Sequence, residues 1–308
     1  AVRHAKKNLA KWMKPEKRHV SVNFQPGKAW VRHEPLGVIG IISPWNYPLN
    51  LALSPLVDAF AAGNRAMLKP SELTPAFAEL LKEVVAEHFD AEEVAVVTGG
   101  VEVGQAFASL PFDHLLFTGS TAVGRLVYQA AAKNLTPVTL ELGGKSPVIV
   151  CDDYGLEKAA RSIAFGKWLN AGQTCIAPDY VLVPENKAQA MAEALLAEVR
   201  SSYPQPASDP DYSGVISERH RKRLLDAITV AREKGATVLT YEEEEAVKAG
   251  KVPPTVVLNA PEETILASEE IFGPVLPIVP YRHLDDAIAY VNERNRPLAL
   301  YCFSNDEE

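Results

Sequence analysis

The sequence contains little cysteine, and the spacing of its cysteines excludes several classes of protein. Three cysteines occur in 308 residues, Cys151, Cys175 and Cys302, and none is two residues from another. An odd number without paired spacing argues against a disulfide framework and a structural zinc site. We therefore expect no metal site and a reducing compartment, the cytoplasm.

The chain also lacks an excess of positive charge and long apolar runs. Its formal net charge is −8, with 31 Lys and Arg against 39 Asp and Glu. Such a balance provides no overall field to attract nucleic acid or an anionic membrane. The apolar run at residues 38–42 ends at Ser43-Pro44, far short of the roughly 18 residues that a membrane span needs. Neither nucleic acid nor a membrane is an expected partner.

The composition is that of a globular protein with about two domains. Hydrophobic residues make up 47% and charged residues 23% of the chain, an ordinary balance for a packed domain. Between residues 37 and 144, short apolar runs alternate with amphipathic stretches, and the pattern resumes after Lys145. This alternation predicts an α/β fold with parallel sheets and crossover helices, divided into residues 1–142 and 143–308.

Local patterns predict several elements within this frame. The first 13 residues form an amphipathic helix, residues 18–36 a two-stranded hairpin around Pro26-Gly27, and residues 156–169 a helix. Thr74 is placed to cap a helix that begins at Pro75. Because the chain begins without Met and stops just after an apolar strand, we expect it to be truncated at both ends.

Cys175 is the cysteine whose surroundings suggest chemistry. Cys151 and Cys302 lie in apolar runs, where a small hydrophobic side chain suits a strand interior. Cys175 instead follows a Gly-containing loop with Gln173 and Thr174, and functional residues concentrate on such loops. Since only the thiolate is nucleophilic, the residues themselves leave both packing and catalysis open.

Two polar side chains at predicted strand ends could act with a nucleophile. Asn46 lies between two prolines and two aromatic residues, so its amide could donate a hydrogen bond to an oxyanion. It could equally form an Asx turn. Glu141 precedes two glycines and could be a general base, or merely a capping or ion-paired residue.

Two further strand ends could bind a dinucleotide. Gly119 and Ser120 join a strand to a helix start, where backbone N–H groups and the helix dipole favour phosphate. The segment departs from GxGxxG, so a simple turn is also possible. Lys69 and Glu72 follow another strand and could bind ribose or form a surface ion pair.

Together these segments resemble the aldehyde dehydrogenase superfamily. The motifs PWNYPLNL, KPSE, FTGSTAVGR, LELGGKSP, NAGQTC and EEIFGPV occur in this order from residue 44 to residue 275. The stretches CIAPDYVLVP and KNLTPVTLELGGKSP are most similar to its class-3 branch, which includes fatty and coniferyl aldehyde dehydrogenases. The resemblance covers essentially the whole chain.

The resemblance implies a Rossmann-like NAD-binding domain, a catalytic α/β domain, an active site between them and a dimer formed with the hairpin. Cys175 would attack an aldehyde, Asn46 would stabilise the oxyanion, and Glu141 would activate water to hydrolyse the thioester. NAD is the expected cofactor, with NADP possible. The implied cofactor contacts are Trp45, Lys69, Ser71, Glu72, Gly119, Ser120, Gly124, Leu142, Gly143, Glu270 and Phe272.

Alternative functions remain at this stage. A CoA-acylating or reductive relative would pass the thioester to another acceptor, but Glu141 disfavours that outcome. A thiol hydrolase would need a histidine partner, and none of the seven histidines lies within these motifs. A truncated relative that binds cofactor without turnover is the alternative outside catalysis. The aldehyde itself, aromatic or aliphatic, is not specified by the sequence.

Overall fold

The computed structural model describes residues 1–306 and divides the chain into two compact units. The first unit is Ala1–Leu142, and the second begins at Gly143. This division falls at the Gly143-Gly144 turn, immediately after the last strand of the first unit.

The first unit is built on a parallel sheet. Its helices and strands are α1 (Val2–Trp12), β1 (Glu16–Arg18), β2 (Ala29–Val31), β3 (Val38–Ile42), α2 (Pro48–Ala61), β4 (Arg65–Lys69), α3 (Pro75–His88), β5 (Val94–Val96), α4 (Val101–Ala108), β6 (His114–Thr118), α5 (Thr121–Ala132) and β7 (Val138–Glu141).

The strand order of this sheet places a topological switch point at its centre. The order is β5-β4-β3-β6-β7, and all neighbours are parallel. Its middle strands have fully buried side chains, Ile41, Leu68 and Leu115, as expected for a sheet covered on both faces. The chain leaves β3 in one direction to form β4 and β5, and returns beside β3 with β6. Ligands of open α/β sheets bind outside the carboxyl ends of strands at such a point.

The hairpin is shorter than the sequence pattern predicts and begins earlier. β1 pairs with β2 in antiparallel register from Glu16 opposite Val31 to Arg18 opposite Ala29. The strand bounds that we predicted from the alternation at residues 18–36 are wrong, because Val22–Phe24 forms a 3-10 helix. The Gly27 amide then donates to the Phe24 carbonyl, which keeps this connection out of the ladder.

Two predicted helix starts differ in how their caps work. Ser120 caps α5, since its hydroxyl accepts a hydrogen bond from the Val123 amide. Thr74 does occupy the position before Pro75 in α3, but its side chain makes no cap hydrogen bond. Its hydroxyl instead donates to the Ser71 carbonyl. The helix therefore starts where expected, although the capping interaction that we predicted for Thr74 is wrong.

The second unit is also α/β. Within residues 143–306 its elements are β8 (Pro147–Val150), α6 (Leu156–Trp168), β9 (Tyr180–Pro184), α7 (Ala188–Ser202), α8 (Glu218–Glu233), β10 (Thr237–Thr240), α9 (Glu243–Lys248), β11 (Thr255–Leu258), α10 (Ile265–Ser268), β12 (Val275–Tyr281), α11 (Leu284–Asn292) and β13 (Tyr301–Phe303).

The sheet of the second unit is mixed. Its strand order is β10-β11-β12-β9-β8-β13, with β10 antiparallel to β11 and the other neighbours parallel. Helices α6 and α7 pack on it through a core that includes Ile163, Trp168 and Leu195. Cys302 lies on β13 as expected, but its predicted burial is wrong because its side chain is exposed on this edge strand.

Over residues 1–306, no helix is long and apolar enough to cross a membrane.

Candidate functional site

The candidate residues of the first unit follow four neighbouring strands. Asn46 comes after β3, Glu72 after β4 and Ser120 after β6, while Glu141 is the last residue of β7. These strands are parallel and adjacent in the order β4-β3-β6-β7. Parallel strands end on the same edge of a sheet, so this part of the candidate site lies along one edge.

Lys69 and Glu72 form an ion pair at the end of β4. The Lys69 Nζ lies 2.9 Å from the Glu72 carboxylate, and the lysine side chain is only 4% exposed. Burial acts to raise the pKa of Glu72, but the hydrogen bond and charge of Lys69 together hold that pKa below its ordinary value. Glu72 is therefore an anion at neutral pH, next to a cation fixed in the unit.

The turn between β6 and α5 brings backbone close to neighbouring side chains. A Cβ on Gly119 would lie 2.6 Å from the Phe117 ring, and one on Gly124 would lie 2.8 Å from Leu142. The Gly119 amide donates to the Glu141 carbonyl at 3.0 Å, which ties the end of β6 to the end of β7. Glycine at these positions lets α5 begin close to the sheet edge.

The same edge has features that fit a dinucleotide. The N-terminus of α5 provides backbone N–H groups and a positive dipole end, which favour phosphate. At the end of β3 the Ser43 hydroxyl is buried, and within residues 1–306 it has no hydrogen-bond partner. A buried hydroxyl of this kind is a candidate partner for a polar ligand.

Asn46 lies in the short segment that joins β3 to α2. Tyr47 is the residue before the helix and Pro48 is its first residue, so the asparagine sits just outside the first helical turn. Glu141 is exposed at the end of β7, and its backbone is fixed by the bond from Gly119. Both predicted polar residues thus lie at the strand-end edge of the first unit.

Cys175 follows a sharply bent segment in the second unit. After α6, three consecutive residues have positive φ: Asn170 at 51°, Ala171 at 50° and Gly172 at 74°. A Cβ on Gly172 would lie 2.3 Å from the Gly273 carbonyl oxygen, so only glycine fits there without backbone movement. Left-handed backbone at an alanine is strained, and strain of this kind often accompanies a functional loop.

Gln173 fastens the segment just before Cys175. This side chain is buried, and its Nε2 donates to the Gly214 carbonyl at 3.0 Å. Its Oε1 accepts from the Ile216 amide at 2.9 Å. The loop is therefore bound on one side to residues 214–216.

Asp179 fastens the segment that follows Cys175. Its carboxylate lies 2.5 Å from the Lys145 Nζ and accepts a hydrogen bond from the Ile271 amide at 2.9 Å. Lys145 also donates to the Leu266 and Glu269 carbonyls at 2.7 and 3.0 Å. This buried ion pair links the Gly143-Gly144 turn, the Cys175 loop and the segment that carries Glu270.

Glu270 is held against the glycine turn. Its carboxylate accepts a hydrogen bond from the Gly144 amide, and a Cβ on Gly143 would lie 2.1 Å from its Oε1. Burial, with the charge of Asp179, raises the pKa of Glu270 to about 7. Two residues later Phe272 adopts a φ of 48°, which turns the chain sharply before β12.

Three residues of this environment were missed by sequence reasoning: Lys145, Asp179 and Lys167. Lys167 is fully buried on α6, and burial lowers its pKa to about 8. Its place four residues after Ile163, on the buried face of the helix, was the available signal. The ion pair between Lys145 and Asp179 joins residues 34 apart, and no local pattern indicates it.

The residues expected to carry chemistry are divided between the two units. Asn46 and Glu141 belong to the first, and Cys175 and Glu270 to the second. Among residues 1–306, no cluster of three or more His, Cys, Asp or Glu side chains could hold a metal ion. The groups available are thus a thiol, an amide, carboxylates and phosphate-compatible backbone.

Comparison with known proteins gives a consistent family. The family model described as the aldehyde dehydrogenase family matches residues 1–308. A protein of Pseudomonas aeruginosa named probable coniferyl aldehyde dehydrogenase is 53% identical over 99% of this chain and 64% of its own length. The dimeric NADP-preferring aldehyde dehydrogenase of Mus musculus is 41% identical over 98% of this chain and 66% of its own length.

Solved structures agree with these sequence matches. A substrate-bound state of Staphylococcus aureus AldH has a TM-score of 0.92 and 42% identity, covering 99% of this chain and 66% of that one. The Mycobacterium tuberculosis aldehyde dehydrogenase complexed with NAD+ has a TM-score of 0.87 and 36% identity, covering 99% and 63%. The chain thus spans about two thirds of the length of the proteins that it matches.

Proposed function

Because this chain belongs to the aldehyde dehydrogenase family, we propose that it takes part in the NAD(P)-dependent oxidation of an aldehyde to a carboxylic acid, with Cys175 as nucleophile. The observation that carries the proposal is the construction of the Cys175 loop. Three left-handed residues precede the thiol, and Gln173 and Asp179 anchor the loop on either side of it. A packing cysteine would need no such fixed and strained support.

The proposed chemistry uses three side chains in order. The Cys175 thiolate adds to the aldehyde carbon, and the resulting oxyanion accepts hydrogen bonds from the Asn46 amide and the Cys175 backbone N–H. One such donor contributes about 2.7 to 4 kcal/mol to transition-state stabilisation. After oxidation, Glu141 takes a proton from water, which attacks the thioester and releases the acid and the thiol.

The dinucleotide, when bound, supplies the acceptor for the hydride that leaves the substrate carbon. We assign its adenosine ribose to Lys69 and Glu72, with Ser71 beside them, and its pyrophosphate to the start of α5. Glu270 and Phe272 would bind the nicotinamide half. The remaining proposed contacts are Trp45, Gly119, Ser120, Gly124, Leu142 and Gly143.

NAD is the preferred cofactor in this proposal, with NADP also accepted. Lys69 holds the pKa of Glu72 below its ordinary value, so an anion stands where a 2′-phosphate would approach. Lys69 lies beside it and could partly offset the repulsion. The name of the mouse relative, NADP-preferring, favours keeping both cofactors in the test.

For the substrate we propose an aromatic aldehyde such as coniferyl aldehyde, with aliphatic aldehydes as the second class. The support is the name of the Pseudomonas aeruginosa relative, probable coniferyl aldehyde dehydrogenase, which shares 53% identity with this chain. A CoA-acylating reaction is the competing proposal. In it, the thiol of CoA would attack the acyl carbon, form a new thioester and free the Cys175 thiol. Glu141 disfavours this outcome, because in our proposal it activates water at the end of β7.

The test is the absorbance of the reduced cofactor, recorded in the full-length protein with aromatic and aliphatic aldehydes, NAD or NADP, and with or without CoA. Cys175→Ser should abolish oxidation of every aldehyde and leave cofactor binding intact. Cys302→Ser is the matched control, since Cys302 is an exposed thiol on an edge strand. Equal oxidation by Cys175→Ser and the unaltered protein rejects the proposed nucleophile. A product that forms only with CoA rejects hydrolysis.

A further inference from the structure

We propose that Tyr301 is a positioning residue for Cys175, holding the peptide that follows the nucleophile through its hydroxyl group. The inference rests on the proposed role of Cys175. It concerns a residue that lies 126 positions further along the chain, in the edge strand β13.

The contact is direct and short. The Tyr301 hydroxyl donates to the carbonyl oxygen of Ile176 at 2.6 Å. Tyr301 is the first residue of β13, where it pairs with Val148 of β8. Its backbone is therefore fixed by the sheet of the second unit while its side chain reaches the nucleophile loop.

The bond acts on the part of the loop between its two buried anchors. Gln173 and Asp179 are buried and hydrogen-bonded, so they hold the loop two residues before and four residues after the thiol. Ile176 lies between these anchors with 48% of its surface exposed. The Ala177 amide, which belongs to the same peptide as the Ile176 carbonyl, donates to the Thr174 carbonyl at 3.0 Å. The hydrogen bond from Tyr301 ties the carbonyl end of that peptide to the sheet of the second unit.

The hydroxyl remains a donor over the pH range in which the thiol would react. Burial raises the pKa of Tyr301, and negative charge on Cys175 raises it further. Because the Cys175 backbone N–H is a proposed oxyanion donor, a shift of the following peptide would misplace both the nucleophile and that donor.

The test compares two tyrosines that make the same kind of bond. Tyr301→Phe removes the hydroxyl that binds Ile176, and Tyr281→Phe removes one that donates to the Val150 carbonyl at 2.8 Å. Tyr281 lies in β12 and is electrostatically coupled to Cys151 and Cys302. It is therefore a control for the loss of a buried tyrosine bond away from the nucleophile.

The full-length variants are assayed by aldehyde oxidation and by iodoacetamide labelling of each cysteine, followed by peptide mass spectrometry. Tyr301→Phe should lower kcat and the Cys175 labelling rate by about 3- to 10-fold, the range expected for one lost hydrogen bond. The KM values for aldehyde and cofactor should change less than about twofold, because ground-state binding is retained. Tyr281→Phe should leave both Cys175 rates unchanged.

The outcomes separate this inference from the proposed function. If Tyr301→Phe leaves the Cys175 rates unchanged while Cys175→Ser is inactive, the inference is wrong and the nucleophile stands. Equal losses of kcat and Cys175 labelling in both tyrosine variants would indicate that the Tyr301 bond is purely structural. A fall in the melting temperature of Tyr301→Phe with faster labelling of Cys302 would indicate the same, and either result overturns the inference. If Cys175→Ser remains active, the proposed role of Cys175 is wrong, and the inference that rests on it falls with it.

Discussion

At the scale of single residues, two of the three candidate glutamates are in opposite environments. Glu141 is exposed at the end of β7, whereas Glu270 is packed against Gly143 and has its pKa raised to about 7 by burial. An exposed carboxylate is in contact with water and can take a proton from it. A buried one changes its charge near neutrality, so the same residue type can serve two roles.

We predict that Glu141→Gln separates the two halves of the reaction. The amide cannot accept the proton of water, so thioester hydrolysis should slow by about 10²- to 10⁴-fold, while Cys175 still reacts with the aldehyde. Stopped-flow absorbance should show a first-turnover burst of reduced cofactor followed by a slow steady state. Glu269→Gln is the control, at an exposed glutamate paired with Arg223, and it should keep the steady-state rate of the unaltered protein. Loss of the burst together with the steady state would contradict this role for Glu141.

We predict that cofactor binding tightens as pH rises from about 6 to 8. The folded-state pKa of Glu270 is raised from its ordinary 4.5 to about 7. Folding therefore favours the protonated form of Glu270. The contribution of Glu270 to the free energy of unfolding is present at low pH and is lost as pH rises through about 7. Once ionised, the carboxylate accepts stronger hydrogen bonds from ribose hydroxyls. The dissociation constant for NAD should fall by about 3- to 10-fold.

Isothermal titration calorimetry in a Cys175→Ser background measures that pH dependence without titration of the nucleophile. Glu270→Gln should bind NAD with little change between pH 6 and 8. An equally steep pH profile in Glu270→Gln would assign the dependence to another group, such as Lys167, whose pKa is lowered to about 8.

At the scale of elements, the loop before Cys175 depends on one glycine. Gly172 combines a φ of 74° with a neighbouring carbonyl 2.3 Å from where a Cβ would lie. Gly235, after α8, has a φ of 89° but nothing within 4 Å of its Cβ position. Alanine substitutions at these two glycines therefore separate the free-energy cost of left-handed backbone from the cost of steric overlap with the neighbouring carbonyl.

We predict that Gly172→Ala destabilises the protein more than Gly235→Ala. The control should lose about 1 to 2 kcal/mol of unfolding free energy from backbone strain alone. Gly172→Ala should lose at least about twice as much, because the backbone of residue 273 must also move. Urea denaturation compares the two, and equal losses would mean that the overlap relaxes without cost. The Cys175 labelling rate should change only in Gly172→Ala.

Elements with a local signal could be predicted from the sequence, and those that depend on distant contacts could not. Helix α6 could be predicted because the apolar periodicity of the sequence marks its buried face. The helix ends one residue before the predicted bound. The 3-10 helix at Val22–Phe24 escaped prediction because polar alternation there resembles a strand. For the site, strand-end motifs indicated the candidate residues. The anchors Lys145, Asp179 and Tyr301 contact the loop across long sequence separations.

At the scale of the whole molecule, the hairpin offers apolar surface to a partner. Val22 is 80% exposed, Phe24 is 72% exposed and Trp30 is 56% exposed. These residues lie on or between β1 and β2, a ladder of only three residue pairs with two open edges. Exposed apolar side chains on an unpaired edge favour association.

We predict that the full-length protein forms a homodimer in which this hairpin takes part. Phe24→Lys combined with Trp30→Lys should shift the sedimentation coefficient from dimer toward monomer, because two charges would have to be buried at the interface. Leu284→Lys, a similar change at an exposed residue of α11, is the control. A dimer that persists in the double variant would exclude the hairpin as a principal contact.

The succession of β4, β3, β6 and β7 along one sheet has an implication for engineering. Apart from Gly124 in α5, the proposed ligand groups of the first unit lie at the end of a strand or in the connection that follows it, not in the middle of a strand. Transplanting such a connection from a homologue would alter recognition while the scaffold beneath it keeps its hydrophobic contacts. Cofactor preference should therefore be open to redesign one connection at a time.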